Sequence, residues 1–515
     1  MWCNGGLKGL KEMIALKDVG YKTEDGMQIL QDINLEIGQG ECVVIAGPSG
    51  SGKSTLGSVI NGLIPHYYKG VLSGTVTING NDTKDMALCE RGRIAGTVFQ
   101  DPRSQFFMTD TFNEVAFGCT AMQLTREEIL ARTENSFAKL KLEKLQHKSI
   151  FHLSSGERQK IAIASIYAMQ PEIIIFDEPS ANLGIDSIFD LQEILCELKR
   201  EGKTVIVLEH RLFYLKDLFD RMIYVRKGKI EGVLSNAEAV GLSDEQRKRM
   251  KLRSFNPQCC FPCGIRNTKY TPDDRCCDFE IRSLSFCYGR KNASVLILSN
   301  ISLKANRGDI IGIVGKNGMG KTTLAKLCAG LVKEHAGTIT LDGTVLPAKK
   351  RLGTIYFVMQ EADYQLFAST VYEELFIGTQ RKDTDRCQRK TVLSQLELAE
   401  YKELHPACLS GGQKQRLTVA CALLSNCPVI FFDEPTGGLD LGGMEMIAHS
   451  IDELSRNKKI IFIISHDYEF LISSCNRIIH ITEGRIKEDF MLTDTSALQL
   501  WNILTEKGNG YEQGT

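Results

Sequence analysis

Gly47-Pro48-Ser49-Gly50-Ser51-Gly52-Lys53-Ser54-Thr55 returns as Gly315-Lys316-Asn317-Gly318-Met319-Gly320-Lys321-Thr322-Thr323, 268 residues further along the chain. Both stretches fit the pattern G-x-x-x-x-G-K-[ST]. A glycine-rich turn of this kind ahead of a helix aims backbone N–H groups at phosphate oxygens, and the helix dipole adds positive potential. Each follows a short apolar run, Cys42 to Ala46 or Ile310 to Val314, and opens an apolar-periodic segment. That order of strand, loop and helix separates a phosphate site from a fortuitous glycine turn. Within it Lys53 and Lys321 supply point charges for the β- and γ-phosphates, and Ser54 and Thr322 supply a hydroxyl for Mg²⁺.

The repetition extends downstream. Leu153-Ser154-Ser155-Gly156-Glu157 recurs as Leu409-Ser410-Gly411-Gly412-Gln413, Asp177-Glu178-Pro179 as Asp433-Glu434-Pro435, and His210 as His466, each 256 residues on. In both copies the serine lies 23 residues before the aspartate and the aspartate 33 before the histidine. Spacing conserved between two halves of one chain marks a duplicated unit. The expected domains are 12–235 and 278–505, joined by a connector over 236–277. Apolar runs at Ile173 to Phe176, Val205 to Leu208, Val429 to Phe432 and Ile460 to Ile464 alternate with helical patterns, which predicts an α/β fold with parallel sheets. Asp177 and Asp433 end apolar strands, where a carboxylate can hold Mg²⁺ through water. The adjacent Glu178 and Glu434 can orient or deprotonate an attacking water. His210 and His466 follow a further apolar strand, so an imidazole is expected at the same sheet edge, against the γ-phosphate.

Composition narrows the class. Among 515 residues, 62 Lys and Arg oppose 63 Asp and Glu, leaving a net charge of -1 and no basic excess for coating nucleic acid. The hydrophobic fraction of 43% suits packed globular domains rather than a disordered chain. No apolar run approaches the ~18 residues a membrane-spanning helix needs. Met1-Trp2-Cys3-Asn4-Gly5-Gly6 has no charged start followed by an apolar core, so no secretory signal is expected. The 17 cysteines are scattered, and reduced thiols are expected. In the connector, Cys259, Cys260, Cys263, Cys276 and Cys277 offer enough thiolates for zinc or an iron–sulfur cluster, yet their spacing matches no standard knuckle. A reduced, solvent-facing linker is the expectation.

Leu-Ser-Gly-Gly-Gln standing between a phosphate loop and an Asp-Glu strand resembles the signature of the ABC ATPases, and both domains look like ABC nucleotide-binding domains. The resemblance implies two tandem P-loop NTPase domains, each a mainly parallel sheet with a helical subdomain and an antiparallel β subdomain. It also implies ATP and Mg²⁺ as cofactors, with two ATP molecules sandwiched head to tail between the domains. Ser154 and Gly156, and Ser410, Gly411, Gly412 and Gln413, would then face the γ-phosphate of the ATP held by the opposite domain. Gln100 and Gln360 match the family's glutamine that senses Mg²⁺ and the membrane partner. Tyr21 and Tyr288 sit where the family stacks an aromatic ring on adenine, with core packing as the competing role.

The residues after each glutamine sharpen the resemblance. Val98-Phe99-Gln100-Asp101-Pro102-Arg103-Ser104-Gln105-Phe106-Phe107, and its partial repeat at Gln360 through Phe367, are similar to ATPases of energy-coupling-factor importers for vitamins and transition-metal ions. Such an ATPase would work at the cytoplasmic face of the membrane with a transmembrane scaffold subunit and a substrate-capturing membrane subunit. The alternatives are the twin ATPase of a sugar importer and a translation-associated twin ATPase, the latter disfavoured by a connector that is not strongly basic. The first signature departs from the pattern at Ser155 and Glu157, and the loop Ser180-Ala181-Asn182-Leu183-Gly184 lacks the counterpart of Asp440. Added bulk and negative charge should weaken γ-phosphate contact. The expectation is therefore two unequal sites, with the site of Lys53, Glu178 and His210 the better hydrolase.

Overall fold

The computed structural model describes residues 11–259, 277–288, 295–377 and 386–505. They form two compact units that divide between Phe255 and Asn256.

The first unit contains strands β1 (Glu12–Thr23), β2 (Gln28–Gly38), β3 (Cys42–Ala46), β4 (Gly70–Ile78), β5 (Asn81–Asp82), β6 (Ala95–Val98), β7 (Ile173–Asp177), β8 (Thr204–Leu208), β9 (Arg221–Arg226) and β10 (Lys229–Ser235). Its main sheet has the order β10-β9-β3-β8-β7-β6, parallel except for the antiparallel edge strand β10. Continuous apolar runs fit this sheet because crossover helices cover both faces. Alternate side chains of β3 serve two cores. Cys42, Val44 and Ala46 face the helical side, whereas Val43 and Ile45 join Ile14, Ile33 and Leu56 beneath a second, antiparallel sheet of order β2-β1-β4-β5. Helices Thr111–Ala121, Arg126–Lys139 and Ser155–Ala168 form the helical subdomain around Phe137 and Ile161.

Register fixes where chemistry can gather. Asp177 and Ile45 both lie opposite Leu208, so the chain leaves β3, β7 and β8 at one level. The carboxyl ends of parallel strands form the rim at which open α/β sheets bind ligands.

The second unit repeats the plan with β11 (Phe279–Tyr288), β12 (Val295–Ala305), β13 (Ile310–Val314), β14 (Ala336–Leu341), β15 (Thr344–Val345), β16 (Ile355–Val358), β17 (Val429–Asp433), β18 (Ile460–Ile464), β19 (Arg477–Thr482) and β20 (Arg485–Met491). The sheets run β16-β17-β18-β13-β19-β20 and β12-β11-β14-β15, and Asp433 and Ile313 both lie opposite Ile464.

Residues 236–255, read from sequence as the start of the connector, pack onto the first unit. Ser235 and Ser243 cap two short helices, each through a reciprocal box with Glu238 or Gln246. Ala239, Leu252 and Phe255 are buried, and Phe255 stacks on Phe219 at 5.5 Å. Of the cysteines weighed as metal ligands, Cys259 and Cys277 are free thiols, and Cys260, Cys263 and Cys276 lie outside the described residues.

Candidate functional site: paired phosphate loops

Helix Lys53–Asn61 starts without a side-chain cap behind Gly52, whose φ is +100°. Its first N–H groups stay available, as an anion site at a helix N-terminus requires. Gly47 is needed for a different reason: a Cβ there would lie 2.0 Å from the Val225 carbonyl oxygen of β9. Gly315 meets Ile481 of β19 in the same way at 2.1 Å. Lys53 is buried and donates through Nζ to the Gly47 and Pro48 carbonyls, both at 3.0 Å. Lys321 does the same to Gly315 at 2.6 Å and Lys316 at 2.8 Å, and burial lowers its pKa to about 8. Both ammonium groups are thus folded over the loop they would serve. Ser51 Oγ is buried in the same cradle with no hydrogen-bond partner among the described residues, an orphan polar atom of the kind a bound phosphate satisfies.

The strand ends bring the acids to these loops. Ser54 Oγ donates to Asp177 Oδ1 at 2.9 Å, and Thr322 Oγ1 to Asp433 Oδ2 at 2.8 Å. Burial, and then the neighbouring Glu178 carboxylate, push the Asp177 pKa up to about 6; burial also raises that of Asp433. A hydroxyl and a carboxylate in contact, desolvated and beside a second acid, fit a hard divalent cation, which would supply charge neutralisation of phosphate oxygens.

Glu178 and Glu434 follow with φ of +45° and +49°, a left-handed conformation that costs a residue with a Cβ about 1 kcal/mol or more. Their N–H groups donate to Leu208 and Ile464 at 2.8 and 2.9 Å, which pins both turns to the adjacent strand. The Glu178 side chain accepts from Gln100 Nε2 at 2.8 Å and lies 3.2 Å from His210 Nε2. In the second unit Glu434 lies 3.8 Å from His466 Nε2 and accepts instead from Ser465 Oγ at 3.2 Å. Gln360 makes no side-chain hydrogen bond among the described residues. The predicted loop, acid and histidine residues therefore converge in both units, whereas the glutamine joins them in the first alone.

Ser154 and Ser410 cap helices Ser155–Ala168 and Gly411–Leu424, and neither bonds to the phosphate loop of its own unit among the described residues. Their hydroxyls differ. Ser154 Oγ accepts from the Glu157 N–H and also donates to the Glu157 carboxylate at 2.8 Å. Ser410 Oγ accepts from the Gln413 N–H, and among the described residues it donates to nothing. Tyr21 is packed in the small sheet, its hydroxyl bonded to the Lys69 carbonyl at 2.9 Å, while Tyr288 is exposed with its ring edge-on to Phe286.

Two features behind the glutamines escaped sequence reading. Gln105 and Gln365 act as staples, accepting from the Phe99 and Met359 N–H groups across a six-residue loop. Buried Glu114 then accepts from the N–H groups of Phe107 and Met108, and buried Glu374 from those of Phe367 and Ala368, all at 2.7–2.9 Å. A signal was present in the sequence, an acid seven residues beyond each aromatic.

The sequence profile described as ABC transporter matches residues 30–181 and 298–437. The chain belongs to the ABC transporter family. A protein of Treponema denticola provisionally named an ABC transporter ATP-binding protein is 40% identical over 499 residues, 96% of this chain and all of the relative. A Bacillus subtilis protein provisionally named the HMP/thiamine import ATP-binding protein YkoD is 31% identical over 92% of this chain and 90% of its own. The solved RNase-L inhibitor shares the fold at a TM-score of 0.63 and 23% identity, covering 95% of this chain and 93% of that one. The two units are tandem ABC ATPase domains, which bind ATP, generally with Mg²⁺, and hydrolyse it; ABC transporter ATP-binding proteins pair with membrane subunits. No helix among the described residues is long and apolar enough to cross a membrane.

Proposed function

We propose that this ABC ATPase is the energy-coupling subunit of an energy-coupling-factor importer at the cytoplasmic face of the membrane, driving uptake of a vitamin or transition-metal ion. A transmembrane scaffold subunit and a substrate-capturing membrane subunit complete it. The observation that carries the reading is the paired aromatic display behind the glutamines. Phe107 and Phe367 are 71% and 75% exposed, yet their backbones are clamped by buried Glu114 and Glu374. A rigidly held, exposed aromatic is what a protein interface uses, because little conformational entropy is lost on docking. The import role printed for the Bacillus subtilis relative points the same way.

In the proposed cycle the catalytic domains span 12–235 and 278–505. Gly47–Thr55 and Gly315–Thr323 wrap the phosphates, and Ser54, Asp177 and Gln100, or Thr322, Asp433 and Gln360, hold Mg²⁺. Glu178 and Glu434 orient and deprotonate water, with His210 and His466 at the γ-phosphate. Tyr288, whose ring is exposed, remains the candidate for the adenine ring, whereas Tyr21 takes the core-packing role. Ser410 through Gln413, and the weaker Ser154 and Gly156, bring helix N-termini to the γ-phosphate.

The test is fractionation from the native host. Detergent extraction that yields the chain with two small hydrophobic proteins, and a retained vitamin or metal ion, supports the importer. Co-sedimentation with ribosomes and no membrane association would overturn it.

A further inference from the structure

Beside each catalytic histidine the two units solve one packing problem with different residues. In the second, Asp467 follows His466 and accepts through Oδ2 from Thr436 Oγ1 at 3.2 Å, tying the histidine loop to the loop after Glu434. Asp440 on that loop caps helix Leu441–Arg456 through the Gly443 N–H at 2.7 Å. In the first unit Arg211 stands in place of Asp467, Gly184 in place of Asp440, and the helix Ile185–Arg200 starts with no side-chain cap. The anchoring aspartates of both loops are missing together.

The tie that Asp467 makes between the two loops falls to Glu209, which stands where the second unit has Ser465. Its carboxylate is buried and collects four donors: the N–H groups of His210 at 2.7 Å and Arg211 at 3.1 Å on Oε1, and the Ser180 N–H at 3.3 Å and Tyr214 OH at 2.8 Å on Oε2. Arg211 turns back on the same loop, donating through one guanidinium nitrogen to the Leu183 carbonyl at 3.3 Å and the Ser180 carbonyl at 3.5 Å. One acid thus grips the backbone of His210 and the backbone two residues past Glu178. Those are the two groups whose side chains meet at 3.2 Å.

We propose that Glu209 is a positioning residue for ATP hydrolysis at the first unit's site, a buried clamp that sets the His210 imidazole against Glu178 in place of the Asp467 tie on which the second unit relies. It rests on the reading of Glu178 and His210 as the hydrolytic pair and on nothing about transport. The donors to the Glu209 carboxylate come from the histidine loop, the Ser180 turn and Tyr214, so its loss is expected to act on turnover more than on nucleotide binding.

The test uses the full chain with ATP and Mg²⁺ in a Glu434→Gln background, so that turnover reports the first site. Glu209→Gln places an NH₂ among four donors and is expected to lower kcat about tenfold while KM for ATP changes less than about twofold. Tyr214→Phe removes one donor, introduces the residue the second unit carries there as Phe470 and keeps the ring; about a threefold loss in kcat at unchanged KM is expected. The triple change Glu209→Ser, Arg211→Asp and Tyr214→Phe transplants the second unit's solution and is expected to return kcat to within about threefold of the parent. Parent-like kcat in Glu209→Gln overturns the inference. A triple variant that melts like the parent but is as slow as Glu209→Gln also overturns it. Glu178→Gln in the same background separates the two levels: loss there with Glu209→Gln unaffected sinks the clamp alone, and undiminished turnover sinks the hydrolytic pair and the clamp with it.

Discussion

Asp177→Asn measures what the cation site costs the fold. The Asp177 pKa is pushed from 3.8 up to about 6, first by burial and then by Glu178. A raised folded-state value means that the native state prefers the neutral acid. That contribution to stability is complete below about pH 3.8 and is lost as pH rises through about 6. A shift of about two units at 1.36 kcal/mol each puts the burden carried by the ionised wild type at about 3 kcal/mol above pH 7. Asparagine keeps an acceptor for Ser54 Oγ and never ionises. In EDTA without nucleotide, calorimetry at pH 8 should show the first unit of Asp177→Asn melting roughly 6–10 °C above wild type. By the same linkage the gain should fall to about half near pH 5. ATP and Mg²⁺ should reverse the order, since mass action stabilises only the protein that binds them, and ATPase activity should be lost. An equal gain at pH 5 and pH 8, or a variant less stable than wild type at pH 8, would refute the assignment of a desolvated, ionised Asp177.

The remaining predictions concern how the two sites differ. Glu178→Gln should cost the chain about a hundredfold in steady-state ATPase rate and Glu434→Gln distinctly less; equal losses would contradict unequal sites. Glu157→Gln removes the carboxylate that holds the Ser154 hydroxyl, and in a Glu178→Gln background it should raise residual turnover about fivefold, the worth of one regained hydrogen bond. No change would show that the Ser154 hydroxyl does not meet nucleotide. Gly47→Ala drives a methyl against the Val225 carbonyl and should weaken equilibrium binding of a fluorescent ATP analogue at the first site at least tenfold, with Gly92→Ala, on a helix outside the site where a Cβ meets nothing within 4 Å, as the comparison.

Much of this was legible in residue order because the fold repeats. Two phosphate loops behind apolar strands, and acids and histidines at matched spacings, dictated parallel sheets and placed the chemistry at one rim. Tertiary donors and acceptors were not legible. Glu209 reads in sequence as one acid beside a histidine; only the return of Ser180 and Tyr214 to its carboxylate makes it a clamp. The stretch 236–255 reads as charged and connecting, because its few apolar anchors, Leu252 and Phe255, are too sparse to declare a period. Tyr21 was marked by position alone, and its burial follows from the β1 pairing with both β2 and β4.

The left-handed backbone at Glu178 and Glu434 carries a lesson for anyone engineering this chain. Glycine and asparagine occupy that conformation at little cost, so a screen rewarding heat resistance alone would favour Glu178→Gly or Glu434→Asn. The survivors would be sturdier proteins with idle sites. Directed evolution of this scaffold should therefore hold both positions fixed, or select on turnover and stability together.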